Sequence, residues 1–161
     1  MQIVVAAIGR MKHGPERELV ARYLSRAEAA GRALGLTGFS VSESPESRAH
    51  EVSARKREEA AALARMAPAG ARRIVLDERG KMLASDAFAE RIAAWRDDGA
   101  PALVLAIGGP DGHDPAYRDS ADLALSFSPM TWPHQLVRIM AAEQLYRATT
   151  ILSGHPYHRG E

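Results

Sequence analysis

The chain has 161 residues, 46 % of them apolar and 25 % charged, with six histidines and no cysteine. That is the composition of one globular domain, and it excludes a disulfide framework, a thiolate metal site and a cysteine nucleophile. Twenty-one Lys and Arg against twenty Asp and Glu leave a net charge of +1, so no global field advertises a polyanionic partner.

In chain order, Gln2–Ile8 is β-branched and apolar and predicts a buried strand that stops at Gly9. Pro15–Leu34 has apolar residues at Leu19, Val20, Tyr23, Leu24 and Ala27, a helical spacing, with Gly35 as its stop. Leu36–Ser42 is a weaker strand, and Pro45–Met66 predicts a polar, Ala-rich helix bearing the cluster Arg55-Lys56-Arg57. Arg73–Asp77 predicts a short strand, followed by a turn at Glu78-Arg79-Gly80-Lys81. Ser85 is placed to N-cap a helix running through Arg96, with Phe88, Ile92 and Trp95 on one face. Leu103–Ile107 is a strand that runs into Gly108-Gly109-Pro110-Asp111-Gly112, and Leu123–Phe127 is the last strand. A helix from Pro133 to Leu152, ended by Gly154, closes the chain.

Alternating strands and helices predict a single α/β domain over residues 1–161, a parallel sheet with helices on both faces. The apolar runs Ile3–Ile8 and Ala100–Ile107 fall short of the roughly 20 residues that cross a bilayer. The amino terminus has no leader pattern, so a cytoplasmic protein without a membrane partner is expected.

Ligands of open α/β sheets bind beyond the carboxyl ends of the strands. Three segments leave such ends: the turn after Leu76-Asp77, the glycine loop 108–112, and Phe127–Trp132. The glycine loop lacks the Gly-Lys-Ser/Thr of a phosphate loop and the spacing of a dinucleotide fingerprint. Taken alone, it also fits a simple tight turn. On the last helix Val137, Ala141, Leu145, Ala148 and Leu152 form one apolar face, while Ile139, Met140 and Tyr146 lie off it. A helix apolar on more than one side is either central to a core or packed on a second subunit, and the latter is favoured in so small a chain. Glu143 and Arg147 have the spacing of a helix ion pair. In the tail, His155 and His158 lack a third ligand, so no metal is expected.

These residues resemble a known family. Ile107–Gly112, then Leu125–Arg138, then Glu143–Ala148, then the ending His155-Pro156-Tyr157-His158-Arg159 are similar to the RlmH proteins. RlmH proteins are SPOUT-class methyltransferases acting on N3 of a pseudouridine in 23S rRNA. The likeness covers the whole chain, although 36–66 matches only loosely and nothing functional is carried onto it. It implies a deep trefoil knot in the C-terminal part of the sheet, which general topology rules alone would not suggest. It also implies a homodimer and S-adenosyl-L-methionine held by Leu76, Gly108, Phe127, Ser128, Pro129, Met130, Thr131 and Trp132. The implied substrate is 23S rRNA within the assembled 70S ribosome. The N3–H must be lost before or during attack, which makes His134, Tyr157 and His158 the candidate bases. Arg159 and Arg138 are candidates to hold the RNA backbone or a developing enolate, and Arg138 equally fits a dimer salt bridge. The tail of one subunit would reach the cofactor site of the other. Arg55-Lys56-Arg57 and Arg72-Arg73 are possible RNA contacts or solvated charge. Three rivals are another SPOUT enzyme acting on tRNA or a ribose oxygen, a ribosome-assembly factor that kept the fold, and an unrelated nucleotide-binding α/β protein, which the missing phosphate-loop and dinucleotide signatures disfavour.

Overall fold

In the computed structural model, which describes residues 1–158, burial sets the order of the sheet. Strands β1 (Gln2–Ile8) and β4 (Ala102–Ile107) are apolar almost throughout, and they occupy its middle with nearly every residue buried. Strands β2 (Thr37–Ser44), β3 (Arg72–Met82) and β5 (Leu123–Ser126) complete a five-stranded sheet in the order β2-β1-β4-β3-β5, and every pairing is parallel. Alternate residues feed two cores, as the period of a strand requires. On one face Ile3, Val5, Leu103 and Leu105 pack with α1 (Pro15–Gly31), α3 (Ser85–Asp97) and α5 (His134–Ser153). On the other, Val4, Ala6, Val104 and Val75 meet Leu63 of α2 (Val52–Met66) and Tyr117 of α4 (Pro115–Asp119). No helix among the described residues is long and apolar enough to cross a membrane.

Four local expectations are corrected. The helix expected from Pro45 begins at Val52, because the preceding residues are bonded into a loop instead. The Ser47 N–H is given to Glu59 Oε1 at 3.0 Å, and Arg55 Nη1 donates to the carbonyls of Ala49 and His50 at 3.1 and 2.8 Å. Such side-chain bonds compete with a helical ladder and here replace it. Ser85 does not cap α3: Ala84 holds that position, and the Ser85 hydroxyl donates to Gln144 Oε1 of α5 at 2.9 Å. The turn after Asp77 is an irregularity inside one long β3, whose pairing with β5 jumps from Leu76↔Leu125 to Lys81↔Leu125. Gly80 lies so close to β5 that a Cβ there would stand 2.6 Å from the Leu125 carbonyl carbon. The short helix α4 was not expected; the Asp114 carboxylate caps it by accepting the Tyr117 N–H at 3.1 Å.

Register places the loops of interest side by side. Leu76 pairs with Ile107 on one side and Leu125 on the other, so the irregular part of β3 after Leu76 and the segments following β4 and β5 lie at one level.

Candidate functional site

The irregular part of β3 and the segments that follow β4 and β5 enclose a half-open cavity of about 280 Å³. Leu76, Ile107, Leu125, Phe127 and Val137 give it an apolar wall. Gly108–Gly112, Ser128, Thr131 and the polar run Asp77–Arg79 line the rest. A concave apolar surface with a few convergent polar groups is the usual form of a small-molecule site.

Each wall has a local cause. The glycine loop closes through a bond from the Gly112 N–H to the Gly109 carbonyl at 2.9 Å, and Gly112 takes φ +81°, which favours glycine. Beneath Gly108 space is tight: a Cβ would stand 3.2 Å from His113 Cε1 and 3.3 Å from the Gly112 carbonyl carbon. The third wall is held by Ser128, whose hydroxyl accepts the Met130 N–H at 3.0 Å and bends the segment between β5 and α5.

His113 supports the cavity from behind. It is 5 % exposed, stacks on Tyr117, and its Nε2 lies 3.1 Å from the Leu76 carbonyl. A carbonyl only accepts, so that nitrogen carries the proton. Burial pushes the imidazole below its ordinary range, more than the nearby Asp77 charge raises it, and the ring is held neutral. Asp77, half-buried, is the second polar group there. Burial works to raise its carboxyl, but Arg79 and Arg118, each with an ion-pair distance of 3.3 Å to it, outweigh that and hold it low.

The expected cofactor residues Leu76, Gly108, Phe127, Ser128, Met130, Thr131 and Trp132 all line this one cavity, and His134 stands among them at the start of α5. Pro129 belongs to the same segment but is exposed and outside the lining. Tyr157 and His158 are not brought to the cavity within the chain. The Tyr157 hydroxyl donates to Glu143 Oε1 at 3.1 Å, His158 Nδ1 lies 3.3 Å from Arg147 Nη1, and His158 Nε2 lies 3.1 Å from Asp86. Burial and the Glu143 carboxylate push the Tyr157 phenol up to about 12, so it stays protonated near neutral pH. The expected Glu143–Arg147 pair forms at 2.6 Å. Arg159 lies outside the described residues.

Three arginines read as possible RNA contacts have partners within the chain, one buried and two at the surface. Arg138 is 4 % exposed and donates to the carbonyls of Ile8 and Gly9 at 2.9 and 2.6 Å and to Glu43 at 2.5 Å. It is therefore neither an RNA ligand nor a dimer salt bridge. Arg72 pairs with Asp122, and Arg73 lies over the Tyr117 ring while donating to Ser120. Sequence reasoning missed His113 and the buried Glu59. A histidine directly after the glycine loop was the only available sign of the first.

The family model described as "Predicted SPOUT methyltransferase" matches residues 1–158. The protein of Brucella anthropi called ribosomal RNA large subunit methyltransferase H is 59 % identical over 159 residues, covering 99 % of both chains. Its namesake from a Chelativorans species is 60 % identical over 159 residues, covering 99 % of this chain and 91 % of its own. That of Methylobacterium radiotolerans is 56 % identical over 162 residues, covering 100 % and 99 %. With a matching family model and relatives of this identity along its whole length, the chain belongs to the SPOUT methyltransferases, among the ribosomal RNA large subunit methyltransferase H proteins.

Proposed function

We propose that this protein is an S-adenosyl-L-methionine-dependent methyltransferase that methylates N3 of a pseudouridine in 23S rRNA on the assembled 70S ribosome. The observation that carries the reading is the meeting of Leu76, Gly108 and the 127–132 segment in one cavity beside His134. Family members fill such a cavity with the methyl donor, and the lining suits it. The backbone of Gly108–Gly112 and the Thr131 hydroxyl offer polar partners for a nucleoside, and Leu76, Ile107, Leu125 and Phe127 offer apolar contact for its remainder.

Bound there, S-adenosylmethionine supplies an electrophilic methyl group on a sulfonium, transferred by in-line displacement. The protein's part is positioning and proton management. His134 lines the cavity at the start of α5, where its imidazole would take the N3 proton. Tyr157 and His158 sit on the α5 face around Glu143 and Arg147, from which the tail of one chain would serve the cavity of a second copy together with Arg159. A homodimer is consistent with the exposure of Met82, Met130, Trp132 and Leu136, a set of large apolar residues at the β3 end, the 127–133 segment and the start of α5. The whole chain would act as one domain, cytoplasmic and without metal. The knotted C-terminal half is carried by the resemblance to the family.

Transfer of labelled methyl from S-adenosylmethionine tests the reading, with 70S ribosomes from a strain lacking the gene, free 23S rRNA and tRNA as acceptors. The expected product is N3-methylpseudouridine on 70S particles. Label on tRNA would move the protein to another SPOUT activity. Cofactor binding without transfer to any acceptor would favour an assembly factor.

A further inference from the structure

Helix α2 lies outside the cavity and holds none of the residues named for the cofactor, yet two of its side chains reach the glycine loop. Arg55 and Glu59 stand four residues apart, on one face of the helix. Arg55 Nε donates to Asp111 Oδ2 at 2.7 Å while its Nη1 holds the carbonyls of Ala49 and His50, so one guanidinium joins α2, the segment before it and the loop. Glu59 is 5 % exposed. Its Oε1 accepts the Ser47 N–H, and its Oε2 is buried without a partner among the described residues. A Cβ on Gly109 would stand 2.6 Å from that Oε2. Gly109 is not among the glycines of positive φ, so a side chain there would be opposed by space alone, and it would have to push the buried Glu59 carboxyl aside.

We propose that Arg55 and Glu59 are positioning residues of the methyl-donor site, clamping the glycine loop from outside at Asp111 and at Gly109. The inference rests on the reading of the cavity given above. Arg55 fixes the loop laterally through a charge-assisted bond at its tip. Glu59 is the floor, and it keeps the Gly108–Gly112 backbone from sinking toward α2. A buried carboxyl with one unpaired oxygen is costly, and a site that must hold backbone donors at fixed height gives a reason to keep it. Burial, ahead of the neighbouring Asp111 and Glu46 charges, raises its pKa and favours the neutral acid.

The test is the affinity of the full-length protein for S-adenosylhomocysteine, measured by calorimetry, with melting curves as a check on folding. Gly109→Ala and Glu59→Ala should each weaken binding roughly tenfold or more, the scale of lost outer-shell support. The double variant should bind no worse than Glu59→Ala alone, because the methyl group introduced at position 109 meets no obstacle once the carboxyl is gone. In steady state the KM for S-adenosylmethionine should rise while kcat stays within a few-fold. If Glu59→Ala does not fold, the exchange Arg55→Asp with Asp111→Arg should recover affinity that either single change loses. Additive losses, or single variants that bind like the wild type, would overturn the clamp. A wild-type protein that binds no S-adenosylhomocysteine would instead overturn the reading of the cavity, and the clamp with it.

Discussion

His113 shows how one side chain joins the core to the site. Its Nε2–H is spent on the Leu76 carbonyl, and its ring fills the space beneath Gly108 where a Cβ would otherwise go. A second proton would place a charge in a buried, partly apolar setting, so the folded state resists it. A histidine whose folded pKa lies below the ordinary 6.5 contributes stability that is complete above that pH and is lost as pH falls through the lowered value. His113→Phe keeps most of the ring volume and removes the titration. The variant should lose the part of the acid-side decline in melting temperature that His113 causes in the wild type, and bind S-adenosylmethionine more weakly at neutral pH. A parallel acid decline in both proteins would place that sensitivity elsewhere. Several site residues are legible in the sequence alone: Leu76, Gly108 and the 127–132 segment follow from the rule that ligands gather at carboxyl strand ends. His113 and Glu59 are not, because each matters through a contact with a segment distant in sequence, which no local spacing encodes.

At the scale of elements, α5 does two jobs that its amphipathic pattern shows only in part. The face Ala141, Leu145 and Ala148 is buried in the core as its spacing requires. Arg138, one turn earlier, is drawn into the same interior to hold the carbonyls of Ile8 and Gly9 and the Glu43 carboxylate. It ties the start of α5 to the ends of β1 and β2, and so fixes the helix end that carries His134. Removing one member of a buried, hydrogen-bonded charge pair costs about 3–5 kcal/mol. Arg138→Ala should therefore lower unfolding stability in denaturant by that order, whereas a surface salt bridge would contribute less than about 1 kcal/mol. The strand sequence was readable because burial and β-branching coincide in β1 and β4. The 45–51 segment was not, since its alanine and charge content suits a helix while Glu59 and Arg55 claim its backbone.

Over the whole molecule, charge and shape divide the work of recognition. A net charge of +1, with Arg138 buried in the fold and Arg55 and Arg72 paired to Asp111 and Asp122, leaves little general attraction for free RNA. An acceptor presented on an assembled particle supplies shape that a bare strand does not, which accords with the proposed 70S substrate. The chemistry proposed for the methyl donor depends on one location, the cavity at the β3 irregularity and the ends of β4 and β5. Its occupancy is tested most directly by calorimetric binding of S-adenosylmethionine to the wild type and to Gly108→Val, whose side chain would enter the 3.2 Å gap to His113. Binding at one site per chain in the wild type, lost in a Gly108→Val protein that still melts cooperatively, is the expected result. Equal binding by both proteins would place the methyl donor elsewhere and contradict the site described.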